Sequence, residues 1–389
     1  MHAPLSFSDL PVELGVEILE FLRGDSQALH SCCLTSKLWF QHAQPILYKS
    51  IRINPQNLTM FCNTIRKRPE LVSHIRKLTL DGLSGTPLPP RELLPTRIEV
   101  LRVVGMELPN PWVLAALSTS RSSIQELVFR DCYMADPKRC LALPELLPSL
   151  KTFEIDQSWL RSKEEVNNAP PHIPGFSMPD VQSLSLTGDS AVPLDRSEPG
   201  TRPLPCGNLS VLKVSLDGDN MSVFRQYLQD AGPGLHKLDI DFGSYATFAM
   251  SVLGSTPPKL DKCVNLRSLD IEFRLLPKTP FAHLSLYTRT YLSYIPMLLE
   301  GLPGQCKQLQ QVGFTARMSR LGSPADLDAL DWEHVGQILS KGRFPSLRQV
   351  SACIAGGDGL RWKIERYFKE KLNVLDQRKL LELTFREHS

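Results

Sequence analysis

The chain has 389 residues, 42% of them apolar, which is enough core for two or three ordinary domains or for one extended repeat array. A formal net charge of +3 is too small to argue for nucleic acid or an anionic membrane as partner, and no apolar run approaches the ~20 residues of a membrane helix. Nine Cys, an odd number with no CxxC pair and no charged-then-apolar leader before them, imply reduced thiols in the cytoplasm or nucleus, where the sequons at Asn57, Asn208 and Asn220 stay unmodified.

Leu10 to Leu22 (LPVELGVEILEFL) reads as a helix: Asp9 can cap it, Pro11 suits the first turn, where an N-H has no partner anyway, and Gly24 ends it. At 100° per residue Leu14, Ile18, Phe21 and Leu22 fall on one side and Val12, Val16 and Leu19 nearly opposite, with Glu13, Glu17 and Glu20 as an acidic stripe between them. One apolar face can hide under neighbouring helices; the second needs another chain, unless the helix simply packs inside a larger domain. Periodicity does not choose between these readings.

The residue pattern does. Leu10-Pro11, Glu13-Leu14, Ile18-Leu19, Leu22, Leu29 and Trp39, with Ser36-Lys37 just before the Trp, stand where an F-box has its LP, EL, IL, L, L and W. The stretch resembles an F-box, and Pro45, Leu47-Tyr48 and Ile51 resemble the exit of fungal members; Thr35 departs from the Val that many members carry. The resemblance implies three helices that dock on a Skp-type adaptor, which bridges to a cullin-RING ubiquitin ligase. The docking face is assigned to Leu10, Pro11, Leu14, Val16, Ile18, Leu19, Leu22, Leu34 and Trp39.

Asn57 to Leu71 reads as a second amphipathic helix, whose Arg66-Lys67-Arg68 run fits either an anion or a solvated helix end. From Ile75 one phrase recurs: apolar, two variable, apolar, one variable, apolar. Copies begin at Ile75, Ile98, Ile124, Leu150, Val181, Leu209, Leu235, Leu266, Leu309 and Leu347, with LLELTF at Leu380 as a further candidate. Positions four and six alternate with polar ones, as a strand with one buried face requires, and position one turns in from the loop before it. Helical or turn-forming stretches lie between copies at Pro111 to Ser118, Pro137 to Leu147 and Met221 to Ala231.

The early copies are 23 to 31 residues apart, and this stretch resembles a degenerate leucine-rich-repeat array. Only Cys132 matches the Asn or Cys that the family carries after the strand, so the turns are irregular. Independent amphipathic strands in another α/β fold are the alternative. The expected class is α/β: an F-box over 1–52, a linking helix over 53–74, and an irregular solenoid over 75–389 with its parallel sheet concave and helices and loops convex. Asn167 to Asp180 and Gly188 to Gly207, rich in Pro and Gly, are expected loops, and Pro277 to Leu302 holds an inserted helix. A helix over about 360–375, with Trp362, Tyr367, Phe368, Leu372 and Leu375 apolar, is expected to cover the last repeat.

The variable positions point out from the sheet and form the usual binding surface of such arrays. Arg102 and Arg130 are basic, Glu154 and Asp156 acidic, and Asp239 and Asp241 neighbour Asp270 and Glu272 on the next strand. Parallel strands about 4.8 Å apart set these four carboxylates side by side. A target protein with a basic segment would fit there, as would a solvated face.

No catalytic motif is present: no GxSxG, phosphate loop, HExxH or paired CxxC, while Asp217 to Asn220 reads as a turn and His236 as a surface residue. No cofactor or metal is implied. The sequence leaves open a ubiquitin-ligase substrate receptor, an interaction scaffold uncoupled from ubiquitination, and an enzyme on an α/β scaffold.

Overall fold

A computed structural model describes residues 11–87, 90, 93–134, 143–156, 159–160, 181–187, 208–216, 221–242, 258–275, 292–304, 306–318, 324–340, 342–356 and 360–386. The chain forms two compact units, Met1–Leu150 with Arg161–Pro179, and Lys151–Leu160 with Asp180–Ser389.

In the first unit the helices are α1 (Val12–Phe21), α2 (Ser26–Thr35) and α3 (Lys37–Tyr48). Short polar residues start two of them: Asp25 Oδ1 accepts the Ala28 N-H at 2.9 Å, and Ser36 Oγ accepts the Trp39 N-H at 3.3 Å. Pro11 is the N-cap of α1, with extended backbone, and so stands one residue before the helical turn expected to hold it. Asp9 lies outside the described residues. A 3-10 turn, Leu22–Gly24, closes α1 as Gly24 leads one to expect.

The strands begin before the first copy of the phrase at Ile75. β1 (Ser50–Ile53) runs parallel to β2 (Lys77–Asp81), with Ile51 opposite Leu78 and Ile53 opposite Leu80. Residues 48–53, YKSIRI, fit the phrase, but their likeness to an F-box exit conceals it. Between these strands α4 (Leu58–Lys67) stops short of Leu71, because the residue before Pro69 is pushed out of the helical region; a 3-10 segment, Pro69–His74, follows.

β3 (Val100–Val104), the short β4 (Glu107–Leu108), α5 (Pro111–Thr119), β5 (Glu126–Arg130) and the short β6 (Tyr133–Met134) complete the regular part of this unit. β2, β3 and β5 are parallel and in phase, Leu78 opposite Leu101 and Leu101 opposite Leu127. The helix α5 buries Trp112, Val113, Ala116 and Leu117, two pairs one turn apart. Ser120 ties the end of α5 to the approach to β3: its hydroxyl donates to the Pro95 carbonyl at 2.9 Å and accepts the Ile98 N-H at 3.2 Å.

The second unit contains β7 (Thr152–Asp156), the short β8 (Trp159–Leu160), β9 (Ser183–Thr187), β10 (Val211–Ser215), α6 (Met221–Ala231), β11 (Lys237–Phe242) and β12 (Ser268–Leu275). Then come α7 (Tyr294–Gly301), β13 (Gln311–Met318), α8 (Trp332–Ser340), β14 (Gln349–Ala355), α9 (Arg361–Lys371), α10 (Asn373–Gln377) and β15 (Leu381–Arg386). The strands β7, β9, β10, β11, β12, β13, β14 and β15 are parallel, each to the next.

One local rule generates the strands of both units. Each phrase from Ile75 to Leu347 starts its strand at the third residue, while position one is buried, as at Ile75, Ile98, Leu235 and Leu309. The carbonyl of position two repeatedly accepts the N-H groups of positions two and three in the following copy: Arg76 from Glu99 and Val100, Gln182 from Ser210 and Val211, Arg267 from Gln310 and Gln311. Lys49 does the same for Arg76 and Lys77, which puts β1 in the series. In the first unit the strands end on residues with left-handed backbone, Gly82, Gly105 and Asp131.

The last strand is in a different frame. Val350 lies opposite Leu381, not Leu383, so the phrase at Leu380 is offset by two residues. An offset of two keeps the same side chains on the same face, which is why alternation alone could not detect it.

Near the end of the second unit Trp332 sits edge-on to Phe314 and Phe368 with centroids 5.5 and 4.7 Å away, and its Nε1-H donates to the Leu327 carbonyl at 3.0 Å. The expected terminal helix is α9 with α10, and it buries Ile364, Phe368, Leu372 and Leu375. Trp362, expected on its apolar side, is exposed, because Ile364 and Phe368, four apart, set the inward direction. The expected loops at 167–180 and 188–207, the turn at 217–220 and most of the insert at 277–302 lie outside the described residues; its end forms α7.

Candidate protein-docking surfaces

The helices of the first unit have a small core. Leu19, Leu29 and Ala43 are buried, with Leu22, Cys32, Cys33, Trp39, Ile46 and Leu47 packed against them. On α1 the inward strip is therefore Leu19 and, just beyond it, Leu22, and both sets of apolar residues expected on opposite sides leave members outside. Val12, Leu14, Val16 and Ile18 are 37–47% exposed and Phe21 is 91% exposed. Glu13, Glu17 and Glu20 are exposed as the stripe between them requires.

Of the residues assigned to docking, Pro11, Leu14, Val16 and Ile18 are exposed on or beside α1, and Leu34, 76% exposed, stands at the end of α2. Leu10 lies outside the described residues. Leu19, Leu22 and Trp39 face the core, so their part in docking would be to hold the helices. The list omits Val12, Phe21 and Leu38, all exposed. Phe21 shares the helical spacing of Leu14 and Ile18, and Leu38 stands in the first turn of α3, just past the Ser36 cap.

On the strands, the second candidate surface is the face away from the helices. In the first unit Arg102 Nη2 is 2.9 Å from Glu126 Oε1, and Arg130 is exposed at the end of β5. In the second unit Glu154 lies opposite Ser185, and Asp156 opposite Thr187, whose hydroxyl donates to Asp156 Oδ1 at 2.8 Å. Asp239 is paired in register with Asp270, and Asp241 with Glu272, as the spacing predicts.

The chain supplies counter-charges of its own that the sequence reading missed. Lys237 Nζ is 3.3 Å from Asp239 Oδ2 and 3.6 Å from Asp270 Oδ2, and Arg317 pairs with Glu272. Both cations were legible, since they occupy outward positions of their own strands. Asp270 lies over Gly313, where an added Cβ would come 2.1 Å from its Oδ1.

Burial pushes the Asp239 carboxyl up to about 6; Lys237 pulls it down and Asp270 pushes it up further. Burial and then Glu272 also raise Asp241. Burial lowers Lys237, but Asp239 and Asp270 outweigh it and hold the ammonium above its usual range. Among the described residues no group of three His, Cys, Asp or Glu is placed to hold a metal ion, and no helix is long and apolar enough to cross a membrane. No curated protein matches the chain. Residues 7–54 match the F-box-like family model, and domains of that kind generally bind Skp-type adaptors. The chain therefore carries an F-box-like domain at residues 7–54.

Proposed function

We propose that the chain is the substrate-recognition subunit of a Skp-cullin-F-box ubiquitin ligase. The observation that carries this reading is that a segment matching the F-box-like model leaves Leu14, Val16, Ile18, Phe21 and Leu34 outside its own core. Burying a large apolar side chain contributes roughly 1.5–3 kcal/mol, so a few of them suffice to drive association with an adaptor. The remainder is a degenerate leucine-rich-repeat array, a reading supported by the recurrent phrase, the constant strand start and the twice-bonded carbonyl of position two. Its outward face holds the target: in the second unit a basic segment replaces Lys237 and Arg317 on Asp239, Asp241, Asp270 and Glu272, with Glu154 and Asp156 as further contacts, while Arg102 and Arg130 are candidate contacts of the first unit by itself. The chain itself is non-catalytic, and acts in the cytoplasm or nucleus.

The test separates a receptor from a scaffold. Cells express the intact chain or Val16→Asp/Ile18→Asp, with cullin activation blocked and then released. Proteins captured by both forms, but ubiquitinated on release only with the intact chain, are the expected result. Captured proteins whose ubiquitination is the same with either form would make the chain a scaffold uncoupled from the ligase.

A further inference from the structure

β15 has β14 on one side and, among the described residues, no strand on the other. Its peptide groups sort by parity. The Leu380 carbonyl accepts the Val350 N-H at 2.7 Å and the Arg386 carbonyl accepts the Gly356 N-H at 3.0 Å, so even-numbered residues face β14. Leu381, Leu383 and Phe385 then turn their N-H and C=O groups to the free edge. Their side chains, on the core side, are only half-buried, whereas Val350, Ala352 and Ile354 opposite them are no more than 1% exposed.

Such an edge invites another strand unless Pro, a bulge or like charges block it. LELTFR has no Pro, and its two charges are of opposite sign, four residues apart. Read against itself in reverse, the segment is complementary. We propose that β15 pairs antiparallel with β15 of a second copy of this chain, about a two-fold axis at Thr384.

In that register Leu383 lies opposite Phe385 of the other copy, twice, with both residues presenting free backbone groups. Glu382 lies opposite Arg386, also twice, on the outer face, as pairs without backbone bonds, where side chains come closest. A register centred on Leu383 would set Glu382 against Thr384, so the charges select the first. The contact is isologous and closes on itself. It uses none of the α1 residues proposed for adaptor docking.

The full chain is measured by light scattering after size exclusion over roughly 1–100 µM, with amide exchange followed in parallel. The expected result is a shift with concentration towards twice the 43.7 kDa of one chain, with added protection at Leu383 and Phe385. Glu382→Arg and Arg386→Glu each bring like charges together and weaken the dimer by about tenfold. The combined Glu382→Arg/Arg386→Glu restores it. Both residues are exposed, and an unchanged melting curve checks that the variants fold. A single 43.7 kDa species at every concentration would overturn the pairing. So would a dimer indifferent to the single reversals, or a double variant that fails to recover.

Discussion

Asp239 is held where ionisation costs more than in water. It is half-buried between Lys237 and Asp270, and its Oδ1 has no hydrogen-bond partner. A carboxyl that ionises near 3.8 in the unfolded chain and about 6 in the folded one binds more protons folded than unfolded between those values. Stability from this group therefore falls as pH rises from about 4 to 6 and stays lost above. Asp239→Asn removes that cost together with the Lys237 pair, and after allowance for the exposed part we expect a gain of about 1 kcal/mol at pH 7 and little change at pH 4. Denaturant unfolding at the two pH values measures it. A loss of stability at pH 7 would mean that the Lys237 pair outweighs the burial.

At the scale of elements, the end of the second unit rests on one side chain. Trp332 touches Phe273, Phe314 and Phe368, so it joins β12, β13 and α9 through α8. Tyr367 donates to Asp328 at 2.8 Å and Lys371 pairs with Glu333 at 2.8 Å, but both contacts are at the surface and add little. Trp332→Ala should cost about 3–5 kcal/mol in denaturant unfolding; a cost under about 1 kcal/mol would move the centre of this core elsewhere. The strands themselves were legible because alternation with one buried face is a local property, and the register of Asp239 on Asp270 followed from it. What escaped depends on neighbours distant in sequence. The frame of β15 is hidden by the period of two, β1 is masked by its place after the helical domain, and the inward side of α9 is set by Trp332 rather than by its own Trp362. On α1 two apolar sides compete, and packing against α2 and α3 decides that Leu19 turns inward and Phe21 does not.

For the whole molecule, an F-box-like domain at residues 7–54 precedes parallel strands that leave one face to solvent in the described residues. The first unit joins the two parts through backbone: the Lys49 carbonyl, one residue beyond α3, accepts the N-H groups of Arg76 and Lys77, and the Arg68 guanidinium stacks 5.1 Å above the Phe40 ring. The measurement that bears most directly on the central claim is a calorimetric titration of the full chain with a purified Skp-type adaptor, for the natural sequence and for Val16→Asp/Ile18→Asp. Both residues are exposed, on nearly opposite sides of α1, and substituting them leaves Leu19, Leu29 and Ala43 untouched. The expected result is saturable binding of the natural chain and binding at least about 100-fold weaker for the variant, with unchanged helix content. No binding by the natural chain, or equal binding by the two, would contradict it.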